Sequence, residues 1–506
     1  MKTASSEIFR KYTDAETFSG ITEYKTVSEM WEQCLAKWPD AAAIEDDGKT
    51  YSYSDLERDA AKLRTALAGC PTGTRVALLA ANSYDFVKAY LAIVTSGCAA
   101  AVFPAHLPAE AVFGCCMMFG VSKLFYQPGF EEKLNILKQQ RPDIECIATN
   151  APYNEATPLR RCEPSAPCAI MFTGGTTGKS KGALLSNDAV MQGTINGCYG
   201  TPEVFNQRYL LVLPLSHIFG LIRNLMTSLY TGSTLFICRN NKDMFRDIAA
   251  FRPTIMVMVP ALAEMALTLS KKFGRNMLGE DLKCIICGAA PVSPFLVSEY
   301  KKMGISLFPG YGLTESANLV SGNPESLTKP DSVGIPYPNQ ELKIVDGELW
   351  LKGRNMMDGY VGTEEPGAYS DGWFRTGDLA RIDEDGFLYI TGRIKEIILL
   401  PNGENVSPAE VEAHFNTLSF VQDSQVFEDR SALGEPILAL EVVLRPTELT
   451  DMDDEARKAY ATAELEKINR SLPGYWQVSK ITIRDTDFQR SPAMKIVRYG
   501  HGAVKE

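Results

Sequence analysis

Ten residues from Thr173 to Gly182, TGGTTGKSKG, gather four glycines, three threonines and two lysines directly after the apolar run AIMF. Glycines let backbone N–H groups converge on an anion, hydroxyls add donors and lysines add charge, so the loop has the make-up of a phosphate cradle. A flexible surface turn is the other reading open to it. A Walker A loop requires a glycine, four residues and then Gly-Lys-Ser/Thr. Gly178-Lys179-Ser180 would need that glycine at position 173, where Thr173 stands. P-loop NTPase and kinase chemistry is therefore set aside.

Further along, GYGLTES (Gly310 to Ser316) offers an aromatic face at Tyr311, close-approach glycines at Gly310 and Gly312, the Thr314 hydroxyl and the Glu315 carboxylate. A plain strand-to-helix connection capped by Thr314 stays open. Asp378 in FRTGDL is either a turn carboxylate or a ribose acceptor. Lys495 in QRSPAMKIVRY, taken alone, is a solvated lysine. Cys284 and Cys287 form a CxxC in LKCIICGAA, which reads as a buried strand. Residues three apart on a strand face opposite ways, so the pair is structural and holds no metal. His106, His217, His414 and His501 are too scattered for a histidine-rich metal site.

These residues need elements to hold them. The 506 residues are 45% hydrophobic and 22% charged, enough for a large cored domain plus a small one. A net charge near -11 disfavours nucleic acid or an anionic membrane as partner. The start, MKTASSEIFRKYTDAE, has no apolar signal region, and the apolar stretch AYLAIVTSGCAAAVFP is too short and interrupted to span a bilayer. Twelve scattered cysteines read as reduced thiols, and a cytoplasmic protein is expected. TVSEMWEQCLAKW and YSDLERDAAKLRTALAGC have helical periodicity, while TRVALLAA, AAAVFPAHL, RYLLVLPL, PTIMVMVP and LKCIICGAAP read as buried strands. The alternation predicts an α/β fold with two helix-covered, mostly parallel sheets. From about Val333, short strands and the turns Asp346-Gly347 and Asp385-Gly386 predict a small barrel-like β subdomain. A compact α+β unit follows, built from SPAEVEAHFNTL, PILALEVVL, DDEARKAYATAELEKINRSL and SKITIRD. The expected division is residues 1–394 and 395–506.

In order along the chain, the glycine loop, LPLSHIFG, CGAAPVS, GYGLTE, GELWLKG, GWFRTGD, GRIKE and the terminal lysine segment resemble the adenylate-forming enzymes. That superfamily holds acyl-CoA synthetases, peptide-synthetase adenylation domains and luciferases. The resemblance runs from YSYSDLERDAAKL to MKIVR, nearly the whole chain. It implies that Thr173, Gly174, Gly175, Thr176, Thr177, Gly178 and Lys181 wrap the β- and γ-phosphates of ATP. Gly288, Ala289, Ala290 and Tyr311, with Gly310 and Gly312 beside it, would bound the adenine. Thr314 would hold the α-phosphate and Glu315 the Mg²⁺. Asp378 would accept from the ribose hydroxyls, with Arg393 near them. His217 would border the reacting carboxylate and gate the acyl pocket. Lys395 matches a hinge to a mobile C-terminal lid, and Lys495 the catalytic lysine. The implied chemistry is adenylation of a carboxylic acid, then transfer to a thiol, with ATP, Mg²⁺ and CoA taking part.

Amino-acid-activating relatives place an aspartate near the aromatic of the LPLSH region. Here Ile218 follows His217, and a buried ammonium without its counter-charge is costly, so amino acids are disfavoured. PLSHIFGL is similar to fatty- or aryl-acid–CoA ligases, with a fatty acid the leading expectation. Arg223 in GLIRNLMTSL reads as a helix-surface arginine, with recognition of a polar group or second carboxylate on the substrate as the alternative. IILLPNGENVSP is one residue longer than the commoner glycine-pair loop, Asn187 stands where a histidine is frequent, and Met494 occupies the usual glycine before Lys495. Two other readings are carried: a ligase loading the phosphopantetheine of a separate carrier protein, and a nucleotide sensor without turnover.

Overall fold

The architecture comes from a computed structural model that describes residues 2–3, 6–173, 181–362, 365, 367–400, 404–431, 434, 436–491, 494 and 496–498. Strands such as Ala99–Phe103, Ile255–Met258 and Cys284–Cys287 are buried along their whole length. A strand apolar on both faces must be covered on both, which favours parallel pairing with crossover helices. Among the described residues, one sheet orders its strands Gly359–Val361, Lys181–Ser186, Pro167–Thr173, Ala99–Phe103, Arg75–Leu79, Lys123–Tyr126 and Glu145–Ala148. A second, nine-stranded sheet has a parallel centre running Ser306–Tyr311, Cys284–Cys287, Ile255–Met258, Arg208–Leu211, Thr234–Ile237 and Ala42–Asp46.

The covering helices start and stop where their end residues dictate. Ser52 and Asp55 form a reciprocal capping box on Tyr53–Arg64. Ser83 accepts from Phe86 N–H at the start of Tyr84–Thr95. Pro260 opens Pro260–Phe273, and left-handed Gly274 closes it.

The chain then builds an antiparallel sheet from Gln340–Val345, Glu348–Gly353, Trp373–Ile382, Tyr369–Ser370 and Leu388–Arg393, with Lys2–Thr3 added at one edge. Asp346 and Gly347 both take positive φ (49° and 81°) in the tight turn foreseen from their types.

The last unit has its own core, with Val411, Phe415, Val426, Leu440, Val442, Ala461 and Leu465 packed together. Helices Pro408–Phe415 and Asp454–Ser471 lie with a sheet of Val421–Arg430, Pro436–Leu444 and Lys480–Arg484. The α/β fold with a large N-terminal and a small C-terminal part is as expected. The two parts meet at a buried ion pair, Arg445 Nε to Glu264 Oε1 at 2.6 Å, with the guanidinium 4.0 Å over the Phe295 ring. Lys271 joins Glu299 at 2.8 Å and Glu448 at 2.9 Å beside it. No helix among the described residues is long and apolar enough to cross a membrane.

Candidate active site

The glycine loop springs from an antiparallel hairpin. Thr173 ends one strand and pairs with Lys181, the first residue of the next. A Walker A loop instead joins a strand to a helix, so the backbone excludes it independently of the spacing. Gly174, Gly175, Thr176, Thr177 and Gly178 lie outside the described residues. Thr173 and Lys181, at the hairpin base, border a cleft of about 1950 Å³.

The other sites of expectation converge on the same cleft. Gly288, Ala289 and Ala290 follow the strand Cys284–Cys287, and Gly310 and Tyr311 close Ser306–Tyr311. Gly312, Thr314 and Glu315 come next, and all of these residues line the cavity, as do His217, Asp378, Arg393 and Lys395. Gly312 is required by packing: a Cβ there would stand 1.2 Å from the Asn318 carbonyl oxygen. Lys495 lies outside the described residues, while its neighbours Met494 and Ile496 line the cleft. Met494 has φ of +62°, the left-handed region that a glycine enters freely. The departure noted at this position therefore falls on a turn that favours glycine.

Asp378 is 2% exposed and is held by two neighbours. Tyr311 Oη donates to its Oδ2 at 2.5 Å, and Arg393 Nε pairs with its Oδ1 at 2.8 Å. Arg393 is brought opposite by strand register, Asp378 pairing with Arg393 across Trp373–Ile382 and Leu388–Arg393. The Asp378 charge, opposed by burial, raises the Arg393 pKa, and burial followed by Asp378 pushes the Tyr311 phenol well up. Glu348 steadies the same turn, accepting from the Gly377 N–H at 3.0 Å and pairing with Arg375 at 3.1 Å.

Glu315 Oε1 accepts from Tyr360 Oη at 2.7 Å. Lys181 pairs with Glu365 and lies 5.2 Å over the Tyr360 ring. Burial, then repulsion by Lys395, lowers the Lys181 pKa. Tyr360 and Glu365 also border this cleft, and the sequence did not single them out. His217 Nδ1 accepts from the Phe219 N–H at 3.3 Å, which leaves the ring proton on Nε2. Gly220 permits this turn: a Cβ there would sit 2.4 Å from the Pro214 carbonyl oxygen.

This donor set fits a nucleoside triphosphate. The cleft holds a clamped carboxylate at Asp378, a lysine at the hairpin base in Lys181, and at Glu315 a carboxylate oxygen of the hard kind that suits Mg²⁺. Residues 31–361, about two thirds of the chain, match the family described as AMP-binding enzyme. The chain belongs to the AMP-binding enzyme family. This AMP-binding enzyme is 33% identical over 358 residues to 4-coumarate–CoA ligase-like 6 of Arabidopsis thaliana, a match covering 65% of the chain and 61% of that relative. The chain thus spans less than two thirds of that relative's length. It is 28% identical to a feruloyl-CoA synthase of Amycolatopsis sp, covering 76% of the chain and 83% of the relative. Long-chain-fatty-acid–CoA ligase FadD15 of Mycobacterium bovis matches at 27%, over 60% and 58%. Anthranilate CoA ligase AuaEII, solved with anthranoyl-AMP, shares the fold at TM-score 0.82 and 20% identity, covering 94% of this chain and 96% of that one.

The AMP-binding enzyme departs from the sequence expectation at Arg223. The side chain is 1% exposed, inside the π-helix Phe219–Met226, and not on a helix surface. Every residue of that helix is buried, so it presents no solvent face. Cys284 and Cys287 are free and buried, and burial pushes the Cys284 thiol up to about 12, as befits inert structural thiols.

Proposed function

We propose that this chain is an AMP-forming acid–CoA ligase. The observation that carries the reading is the convergence on one cleft of every described residue that the resemblance assigns to nucleotide and carboxylate. A carboxylate is a weak nucleophile and repels the phosphate it must attack. Lys181, Arg393 and Lys395 line the cleft and supply positive charge there, and the resemblance gives Lys495 the part of the catalytic lysine. Mg²⁺ bound at Glu315 would neutralise the triphosphate and ease departure of pyrophosphate. Asp378, clamped by Tyr311 and Arg393, orients the sugar, and Thr314 steadies the α-phosphate. His217 borders the acid. The CoA thiol then attacks the acyl carbon of this mixed anhydride, forming the thioester as the acyl–oxygen bond breaks and AMP leaves.

The two half-reactions need different groups at one place. The unit 395–506 therefore serves as a lid that turns about Lys395, separate from the body 1–394. The acid is aryl or fatty, since relatives of both kinds match. Twelve free thiols agree with a reducing, cytoplasmic location. Lys495→Ala is expected to lower acid-dependent ATP–pyrophosphate exchange by on the order of 10²–10³. The same variant retains thioester formation from preformed acyl-AMP. Unchanged exchange would refute the assignment. CoA alone as acceptor separates this reading from a carrier-protein ligase, and pyrophosphate release separates it from a sensor.

A further inference from the structure

Arg223 is a cation without an anion. It is 1% exposed, among the described residues no carboxylate lies in ion-pair range of it, and its Nη1 has no hydrogen-bond partner. The titratable groups that feel its charge are the phenols of Tyr209 and Tyr337 and the thiols of Cys198 and Cys284. Burial pushes all four up to about 12 against the pull of Arg223, so each is neutral at pH 7. Asn224, next in the chain, leaves both side-chain polar atoms unpaired, and so does the Asn196 amide nitrogen on the neighbouring helix Asn187–Asn196. A buried guanidinium surrounded by neutral groups is costly, and such an arrangement persists where something compensates it.

The charge lies behind the wall of the cleft. Ile218 and Phe219, which lead into the π-helix bearing Arg223, line the cavity, as does Tyr337. Tyr337 Oη abuts Gly322, also on the wall, close enough that a Cβ there would be 2.1 Å from it. Tyr337 thus joins the cleft wall to the Arg223 charge, which acts on its phenol, and the field of a poorly screened cation extends to that wall. π-Helical segments are rare and occur disproportionately at functional sites. His217, at the carboxylate end, precedes Arg223 by six residues, at most about 9 Å of helix rise.

Building on the ligase reading, we infer that the acid this protein activates carries a second carboxylate at its far end, recognised through Arg223 with Tyr337. The spacing favours a linear diacid of medium length or an aryl acid with a distal carboxylate. The opposing case is a hydrated polar layer that takes no part in substrate choice.

Pyrophosphate release and isothermal titration are measured with matched pairs: hexanedioate to decanedioate against hexanoate to decanoate, and terephthalate against benzoate. In wild type, kcat/KM and affinity favour one or more diacids over their monoacid partners by about tenfold or more. Arg223→Met removes that preference, Arg223→Lys keeps part of it, and Tyr337→Phe reduces it. A wild-type protein that treats both members of every pair alike, or prefers the monoacids, overturns the inference even if Arg223→Met does not fold. Equal ratios in wild type and Arg223→Met overturn it too. Turnover of monoacids without diacid preference leaves the ligase reading standing. Absence of pyrophosphate release with every acid refutes that reading, and the titrations then still decide whether Arg223 selects a diacid.

Discussion

Asp378 has Tyr311 on one oxygen and Arg393 on the other. A carboxylate offers about four lone-pair positions, so two remain for ribose hydroxyls while the clamp stays closed. Asp378→Asn would turn one acceptor into an NH₂ donor facing either the Tyr311 hydroxyl or the Arg393 guanidinium. Charge-assisted hydrogen bonds contribute about 1.5–3 kcal/mol each, so ATP affinity should fall by about 10- to 100-fold, measured by titration calorimetry. An affinity within twofold of wild type would show that the sugar is held elsewhere. That Asp378, Arg393, Glu315 and Lys181 share one cleft was anticipated because each sits in a short motif that resembles a family motif. Tyr360 and Glu365 were not, because each acts through a partner far away in the chain: Tyr360 meets Glu315 across 45 residues and Glu365 meets Lys181 across 184. Nothing in the local string DGYVG marks that contact.

Strand periodicity announced both large sheets, since continuous apolar runs such as AAAVF and CIIC have few other uses. It missed Val421–Arg430, whose VQDSQVFEDR spreads acids and amides along the strand and hides its buried residues. It also misplaced Arg223, because an arginine in an apolar helix is assumed to mark the wet face, and the π-helix Phe219–Met226 has none. Two predictions belong to elements. Gly220→Ala would push a methyl from the first turn of that helix to 2.4 Å from the Pro214 carbonyl oxygen. Overpacking of this kind costs about 1–3 kcal/mol, visible by denaturant unfolding, and should raise KM for the acid more than for ATP by displacing His217. Equal effects on both substrates would count against this role of the turn. In the β subdomain, Asp383 accepts from the Phe387 N–H and pairs with Lys329 at 2.6 Å. Burial raises its pKa, but Lys329, the Phe387 amide and the Tyr389 hydroxyl outweigh it and hold the carboxyl at about 2, below its ordinary 3.8. A depressed folded-state pKa gives stability that is complete above the unfolded value and lost as pH falls from about 4 to about 2. Lys329→Met should flatten that acid limb in thermal unfolding, and an unchanged slope would remove the pair from the account.

The large and small parts are fastened through Arg445 and Glu264, which lie 181 residues apart. Burial raises the Glu264 pKa while Arg445 pulls it down, and Arg445 itself is 1% exposed. Breaking a buried pair by removing one partner costs about 3–5 kcal/mol, whereas replacing both with apolar groups is often close to neutral. Here the cost falls on one orientation of the two parts, since the pair joins the helix Pro260–Phe273 to the residue just beyond the strand Pro436–Leu444. If the lid turns between half-reactions, the pair is intact in one of them and broken in the other. Glu264→Gln should therefore slow one half-reaction by about tenfold or more and leave the other within about threefold. The assays are ATP–pyrophosphate exchange and thioester formation from preformed acyl-AMP. Arg445→Met with Glu264→Leu should recover folding stability without restoring the slowed step, because the apolar pair packs but no longer orients. Equal slowing of both half-reactions by the single variant would make the ion pair a plain structural contact and leave the turning of the lid without its fastening point.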